Sequence, residues 1–447
     1  MSDDLFAALT STGAMRAAVA GPAWLHAMLD AEVALAEAAA AVGLVDAASA
    51  RAVRAAALGD DFDLPAIAEA AVDGGNPVIP LVAELRARVP ESAADAVHIG
   101  ATSQDILDTA LVLVVRRAWS VLDGHLTEAC GAAAELAATH RTTLMAARTL
   151  LQQALPTTFG LKAAGWLVAL VEAGQALVDL CERRLAGQLG GAAGTLAAFG
   201  DRGLEVTAAF AAALGLPEPV LPWHTARGRI GELAGALGVV AGVCDKIALD
   251  VGLLAQTEVG EVREARAEGR GGSSTLPHKR NPVGVAGVRA AALRARGQVS
   301  VLLAAMAQEH ERALGAWPAE WTAVTDVLVA VDAGVAGVAD VLGGLEVDAD
   351  RMAANLELTH GLILAEAVVG ALAPTLGGRR ARDVVEGAAR RALDRSVPFL
   401  DELVQAVDVA AVLDEASIDR LLDPAGYLGS TDALIDRALA VWKETNL

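Results

Sequence analysis

The chain has 447 residues, more than one hydrophobic core usually spans, which predicts two or three domains. Its formal net charge of -21 excludes the nucleic-acid-binding class, because that class needs a basic surface to displace counterions. Hydrophobic residues make up 54% of the chain, largely as the strong helix former alanine, whereas aromatic residues make up only 3%. This composition predicts an all-α protein.

The chain starts with the acidic segment MSDDLF, which lacks the basic and apolar regions of a secretory signal, so we expect a cytoplasmic protein. Charged residues interrupt every long apolar run, including 325 to 345, which predicts no membrane span. Cys130, Cys181 and Cys244 are widely spaced within apolar helical patterns. This placement predicts buried thiols rather than disulfides or a metal site.

The first predicted helix covers residues 15 to 43, where apolar side chains recur at helical spacing before Gly43. Shorter helices, broken by glycine and proline, follow up to residue 97. Among them, Asn76 in the sequence GNPVIPLV either caps a helix or reaches a binding site. The sequence alone leaves both roles open.

The segment HIGATSQD, residues 98 to 105, precedes a long helical pattern. Thr102 and Ser103 therefore lie at a helix N-terminus, where free amides and the helix dipole favour a carboxylate ligand. Ordinary capping of the helix is the alternative.

Two further segments precede the next long helical pattern, which runs from 229 to 256. The sequence QLGGAAGT, 188 to 195, is rich in glycine but follows no predicted strand, which argues against a dinucleotide-binding loop. His224 comes just before the helical pattern, where it either caps the helix or contacts a substrate.

The sequence GRGGSSTLPHKRNP, residues 269 to 282, has the composition of a binding loop. Its three glycines allow close approach of the backbone to a ligand, and its hydroxyls, Lys279 and Asn281 suit an anionic substrate. A solvated connection between helices is the alternative. A second long helical pattern follows from 282 to 314 and ends in a charged turn that contains Arg312.

These segments resemble the conserved blocks of the fumarase/aspartase superfamily over about residues 15 to 430. GSSTLPHKRNP resembles the family loop G-S-S-x-M-P-x-K-x-N-P, with Leu276 in place of methionine. HIGATSQD resembles the block H-x-G-x-T-S-x-D. ARTLLQQALPTTFG, 147 to 160, resembles the block R-T-H-L-Q-x-A-x-P-T-T-F-G.

The resemblance implies a role for each matching residue. Ser273 transfers a proton at the carbon next to a carboxylate, Ser274 lies beside it, and Lys279 and Asn281 hold that carboxylate. The remaining substrate-binding residues that it implies are His98, Thr102, Ser103, Arg148, Thr149, Gln152, His224 and Arg312.

Leu150 is the main departure from the family pattern, since many members have a proton-donating histidine there. An amine leaving group needs a proton, because its conjugate acid has a pKa of about 10, whereas a carboxylate, with a pKa of about 4, reacts as the anion. A family branch that closes a lactone lacks this histidine. The chain resembles that branch also at 75–77, 222–227 and 315–321.

The leading expectation is therefore the addition of a substrate carboxylate to a double bond in the same molecule. One alternative is a lyase that eliminates a weakly basic group from a substituted succinate to give fumarate. Another is a non-catalytic family member, which the intact Ser273, Lys279 and Asn281 argue against.

The resemblance also implies an all-α, three-domain protomer, divided at 1–97, 98–340 and 341–447. It implies a homotetramer with a central helical bundle and active sites shared between subunits. We expect a small polycarboxylate substrate, no metal or organic cofactor, no nucleic acid and no membrane partner.

Overall fold

The computed structural model describes residues 5–59, 61–265, 270–272, 275–276 and 279–445, and it confirms the all-α class. Helices dominate this part of the chain. They are α1 Ala7–Thr10, α2 Gly13–Ala18, α3 Gly21–Ala41, α4 Ala47–Ala57, α5 Leu64–Gly74, α6 Val78–Arg88, α7 Ser103–Thr139, α8 Phe159–Arg183, α9 Gly203–Ala213, α10 Gly228–Leu254, α11 Val283–Ala304, α12 Ala316–Gly343, α13 Ala349–Leu356, α14 Ala365–Leu376, α15 Gly378–Arg395, α16 Phe399–Val404, α17 Val407–Ala410, α18 Glu415–Leu421 and α19 Thr431–Glu444.

Short strands and 3-10 segments connect these helices. The strands are β1 Leu144–Thr149, β2 Gln152–Thr158, β3 Val262–Arg263 and β4 Glu346–Val347. The 3-10 segments are Glu91–Ala96, Ala197–Arg202, Glu357–Thr359, Leu362–Leu364 and Pro424–Gly426. β1 pairs with β2 and β3 with β4, both antiparallel. The all-α prediction included no strands, and these four strands are short.

Five long helices form a bundle at the centre of the protomer. α7 packs on α8 and α12, while α10 packs on α8, α11 and α12, and α11 packs on α12. α7 has 37 residues. At a rise of 1.5 Å per residue it is about 55 Å long, so its two ends belong to different regions of the molecule.

The helical patterns of the sequence are confirmed in part. α10 matches the pattern from 229 to 256, whereas the single helix expected over 15 to 43 is wrong, because the structure has α2 and α3 there. Pro22 lies in the first turn of α3, the position where a missing N–H costs nothing. The pattern from 282 to 314 is helical only to Ala304, and the chain beyond it forms a bridge between Ala307 and Ala226.

Within the described residues, α8 and α12 are long and apolar enough to cross a membrane by length and composition alone, although charged residues interrupt both. The bent pair 349–359 and 362–376 would count as a third span only if both halves formed one. α8 packs on α7, α10 and α19, and α12 packs on α7, α10 and α11. Packing on several sides accounts for apolar residues around a helix. The absence of a membrane partner stays a prediction.

The buried apolar side chains form two clusters. The larger one joins the amino-terminal helices, the bundle and α19, and the smaller one joins α14 through α18. The domain boundaries at 97/98 and 340/341 stay predictions. Cys130, Cys181 and Cys244 are free and buried, as predicted, and burial raises the pKa of their thiols to about 12, about 11 and about 12.

Candidate active site

Asp105 organises the amino end of α7. Its buried carboxylate accepts hydrogen bonds from His224 Nε2 at 2.7 Å and from the backbone N–H groups of Gly190 at 2.8 Å and Gly191 at 2.9 Å. It also accepts the backbone N–H of Thr102 at 2.9 Å. Four donors on one carboxylate fix the glycine-rich loop and His224 against the start of α7. His224 therefore contacts Asp105 rather than capping α10.

Thr102 and Ser103 begin α7, as the sequence predicted. Thr102 is the N-cap residue and Ser103 the first residue of the helix, and both are partly exposed. His98 lies just before them with a φ of 59°, and its Nδ1 is 2.6 Å from Oε1 of the buried Glu32. Thr102 and Asp105 form a capping box, so ordinary capping, the alternative given above, is present. The other amides of the first turn and the helix dipole still suit a carboxylate ligand.

Arg312 lies at the same end of the bundle. Its Nε donates to Oε1 of the buried Gln104 at 3.3 Å, and Gln104 Nε2 donates in turn to the carbonyl of His224 at 2.8 Å. The Nη2 atom of Arg312 is buried and has no hydrogen-bond partner among the described residues. A cationic donor without a partner suits an anionic ligand. The structure therefore brings together His98, Thr102, Ser103, His224 and Arg312.

A buried cluster of ion pairs stabilises this end of the bundle. The guanidinium of Arg227 donates to both oxygens of Asp108, at 2.7 and 3.1 Å, and also to Glu320. Burial alone lowers the pKa of Arg227, but the two carboxylates outweigh it and raise that pKa above its usual range. Burial raises the pKa of Glu320, although Arg227 opposes it. The segments 222–227 and 315–321, noted in the sequence, supply Arg227 and Glu320, and α7 supplies Asp108.

The block ARTLLQQALPTTFG, 147 to 160, forms a β-hairpin beyond the carboxy end of α7. Thr149 and Gln152 pair across a two-residue turn, and both are exposed. The turn residues Leu150 and Leu151 have φ values of 50° and 65°, and their exposed fractions are 97% and 72%. Such turns favour asparagine and glycine, since the left-handed region costs other residues about 1–2 kcal/mol each. Strain in an exposed apolar turn indicates a functional constraint.

Arg148 is held by a buried carboxylate. Its guanidinium donates two hydrogen bonds to Glu261, at 2.6 and 2.9 Å, and Asn355 Nδ2 donates to the same carboxylate at 2.7 Å. Arg148 thus joins the hairpin to the segment that precedes the 269–282 loop in the chain. Lys162 lies in the same electrostatic environment, where burial lowers its pKa while Asp250 opposes the shift.

The block GSSTLPHKRNP is described only in part, because Ser273 and Ser274 lie outside the described residues. Lys279 is exposed, and its N–H donates to the carbonyl of Leu276 at 3.0 Å. Asn281 is half-buried, and its N–H donates to the carbonyl of Gly271 at 2.9 Å. Gly271 has a φ of 66°, and an added Cβ would lie 2.5 Å from the Asn281 carbonyl oxygen, so only glycine fits there.

The block HIGATSQD and the hairpin block ARTLLQQALPTTFG lie far apart within one protomer. α7 separates them, and after it a four-residue turn, closed by the Thr143 N–H and the His140 carbonyl, leads into the six residues of β1. A six-residue strand spans at most about 20 Å. Even if β1 ran straight back along α7, about 30 Å would remain between Thr102 and Thr149.

Several polar residues of these clusters were missed as candidates in the sequence, among them Asp105, Gln104 and Glu261. Asp105 was quoted within HIGATSQD, and its place three residues after an N-cap was a usable signal. Gln104 and Glu261 gave no comparable signal, because their partners are distant in the chain. Asn76, left open above, lies two residues before α6, where its Oδ1 accepts the Val78 N–H at 3.1 Å.

Comparison with known proteins agrees with this architecture. Residues 2–297 match the family model described as Lyase, and residues 361–438 match the model described as Adenylosuccinate lyase C-terminus. The chain therefore belongs to the fumarase/aspartase superfamily of lyases, which confirms the resemblance seen in the sequence.

Its relatives within that superfamily are more specific. The chain is 46% identical to a 3-carboxy-cis,cis-muconate cycloisomerase of Bradyrhizobium diazoefficiens over 97% of each chain. It is 44% identical to a nitrosuccinate lyase of Streptomyces davaonensis, over 95% of this chain and 92% of that one. The crystal structure of the 3-carboxy-cis,cis-muconate lactonizing enzyme from Pseudomonas putida has a TM-score of 0.90 and 42% identity, covering 98% of this chain and 99% of that chain.

Proposed function

We propose that this chain interconverts 3-carboxy-cis,cis-muconate and 4-carboxymuconolactone, as a cycloisomerase in protocatechuate breakdown. The observation that carries this proposal is the 46% identity, over 97% of each chain, with the Bradyrhizobium cycloisomerase. Leu150 supports it, because a carboxylate nucleophile needs no proton donor at this position.

In the lactonising direction, one substrate carboxylate oxygen forms a bond to an alkene carbon. The π electron pair moves to the carbon beside another carboxylate, and that carbon takes the proton of the Ser273 hydroxyl, which a proton from solvent then replaces. The reverse reaction returns this proton to Ser273 and breaks the C–O bond. Lys279 and Asn281 hold the carboxylate on which negative charge accumulates, so their contribution is electrostatic.

Thr102, Ser103 and Arg312 hold a second carboxylate in this proposal. The N-terminus of α7 offers amide donors, and the Nη2 atom of Arg312 has no partner among the described residues. Asp105 positions these groups without touching the substrate. The four hydrogen bonds that it accepts keep His224 and the 190–191 loop in place.

The active form is a homotetramer whose sites combine segments from different subunits, and it acts in the cytoplasm. The separation of about 30 Å between Thr102 and Thr149 supports shared sites, because one small substrate cannot contact both in a single protomer. Exposure of the Leu150–Leu151 turn supports the same assembly.

Ultraviolet absorbance of 3-carboxy-cis,cis-muconate tests the proposal directly, since lactone closure breaks the conjugated diene. We expect rapid loss of absorbance with the purified protein and none with Ser273→Ala, while Thr275→Ala serves as a matched loop control that retains turnover. Normal turnover by Ser273→Ala would contradict the proton-transfer role. No turnover by the wild-type protein would contradict the cycloisomerase assignment.

The second candidate is elimination of nitrite from nitrosuccinate, which the 44% identity with the Streptomyces enzyme favours. The C–N bond breaks, nitrite leaves as a weak base, and Ser273 removes the proton from the neighbouring carbon to give fumarate. Leu150 is equally compatible with this reaction. Formation of fumarate and nitrite in equal amounts, without any change in the muconate absorbance, would select this candidate.

A further inference from the structure

A cavity of about 540 Å³ lies between the hairpin strand β2 and the carboxy-terminal helices. Gln153 and Leu155 of β2 line it on one side, and Thr359, Ile363 and Ser396 line it on the other. Most of the remaining lining side chains are apolar, and none of the described residues that line it is an aspartate, glutamate, lysine or arginine. A pocket of this size, mainly apolar with a few polar groups, is typical of a site for a small organic molecule.

Two polar atoms of the lining residues lack partners. Gln153 Oε1 and Thr359 Oγ1 are buried and make no hydrogen bond with any described residue. The orientation of the Gln153 amide is fixed, because its Nε2 donates to the Asn355 carbonyl at 2.8 Å. The carbonyl oxygen of Gln153 therefore remains an acceptor that a ligand hydroxyl or N–H could satisfy.

This cavity is distinct from the face of the hairpin that carries Thr149 and Gln152. Gln152 and Gln153 are consecutive residues of β2, and successive side chains of a strand point to opposite faces. Gln152 is a candidate substrate contact, and Gln153 lines the cavity. Gln153 pairs with Arg148 across the hairpin, so Arg148 lies on the cavity face. A ligand in the cavity would thus contact the face that carries Arg148, opposite to Thr149 and Gln152.

A continuous set of hydrogen bonds joins the cavity to the active-site segments. Gln153 donates to Asn355 at 2.8 Å, Asn355 donates to Glu261 at 2.7 Å, and Glu261 accepts two hydrogen bonds from Arg148. Glu261 immediately precedes β3, and the 269–282 loop follows β3 in the chain. Occupation of the cavity would therefore restrain the hairpin.

We propose that this cavity is a second ligand site, which takes a small, uncharged organic molecule with a hydroxyl or N–H donor and orders the hairpin. The lack of aspartate, glutamate, lysine and arginine among the described lining residues selects an uncharged ligand. The unpartnered carbonyl oxygen of Gln153 selects a donor, and the Thr359 hydroxyl can donate or accept. The proposal goes beyond the cycloisomerase function and does not depend on it.

Calorimetric titration of the full-length protein with 2-naphthol tests the site, with 2-methoxynaphthalene as the probe that lacks a donor. We expect saturable binding of 2-naphthol, weakened about tenfold by loss of the donor or by Thr359→Val, the effect of about one hydrogen bond. Ile363→Trp, which fills the cavity, should abolish binding, whereas Val220→Trp, at an exposed position elsewhere, should not. Equal binding of both probes, or unchanged binding by Ile363→Trp, would overturn the proposal.

Hydrogen–deuterium exchange tests the coupling to the hairpin and needs no catalytic activity. We expect 2-naphthol to slow amide exchange in residues 144–158 of the wild-type protein but not of the Ile363→Trp variant. Thr359→Val keeps the test valid if the tryptophan variant fails to fold. Protection that disappears with Ser273→Ala but persists with Ile363→Trp would place the probe in the substrate site and refute the second site.

Discussion

The two ends of the long-helix bundle hold their polar groups in opposite ways. At the amino end of α7, the Asp105 carboxylate accepts four hydrogen bonds inside the fold. At the other end, the hairpin presents Leu150 and Leu151 to solvent in a strained turn. The first region is organised within one chain, whereas the second exposes an apolar turn, as the proposed shared site requires.

The difference indicates how stability and activity are coupled in each region. A substitution in the Asp105 region should lower both together, because the same hydrogen bonds serve the fold and the site. A substitution in the hairpin turn can separate them, because strain there destabilises the protomer without supporting its core.

The largest effect is expected from Asp105→Ala. It leaves three backbone N–H groups and His224 without their acceptor, and each buried unsatisfied donor costs about 1–3 kcal/mol. We expect the free energy of unfolding in urea to fall by about 4 kcal/mol or more and lactonising activity to be lost. Asp179→Ala, at an exposed helix position, is the matched control and should change stability little. A stable Asp105→Ala protein would contradict the organising role.

Mixed oligomers test whether the two ends meet across subunits. Thr102→Val and Gln152→Ala should each lower kcat/KM about a hundredfold, the effect of a misplaced substrate contact. Unfolding and refolding the two variants together should restore part of the activity, since some mixed sites receive both native segments. Mixing Thr102→Val with Ser103→Ala should restore none, because both changes lie in the same segment. Equal recovery in both mixtures would refute shared sites.

Substitutions in the hairpin turn should raise stability while lowering activity, whereas Asp105→Ala should lower both. Replacing Leu150 by asparagine and Leu151 by glycine supplies residues that tolerate positive φ, so thermal unfolding should show a gain of about 1–2 kcal/mol. The same change should lower kcat/KM, because it removes the apolar turn from the site. Leu58→Asn, at an exposed leucine outside the turn and the cavity, is the control. Lower stability of the double variant would exclude strain in this turn.

The smallest effect concerns the cysteines. Because burial raises the thiol pKa values to about 12, about 11 and about 12, the thiolate forms only as the pH rises far above neutrality. A thiol-reactive disulfide reagent at pH 8 should therefore detect no thiols in the native protein and three after unfolding. Rapid reaction of a native thiol would indicate that a helix of the bundle opens.

The sequence predicted the helical class and the start of α7, because capping and helical spacing depend on residues three or four positions apart. It did not predict the turn of the β1–β2 hairpin, since Leu150 and Leu151 are poor residues for that geometry. It also missed the partnership of Arg148 with Glu261, because those residues are more than a hundred positions apart. Such contacts depend on how helices pack, and no local pattern encodes them.

By itself, the sequence determined the chemistry that this chain carries: the GSSTLPHKRNP loop, the helix N-terminus at Thr102 and the leucine in place of a proton donor. Only the tertiary structure decided where these groups lie. The length of α7 places two of the blocks about 30 Å or more apart, and packing of the carboxy-terminal helices leaves a cavity behind the hairpin. The physical reason is that residue type sets local bonding and charge, whereas distance and enclosure arise from the packing of segments remote in the chain.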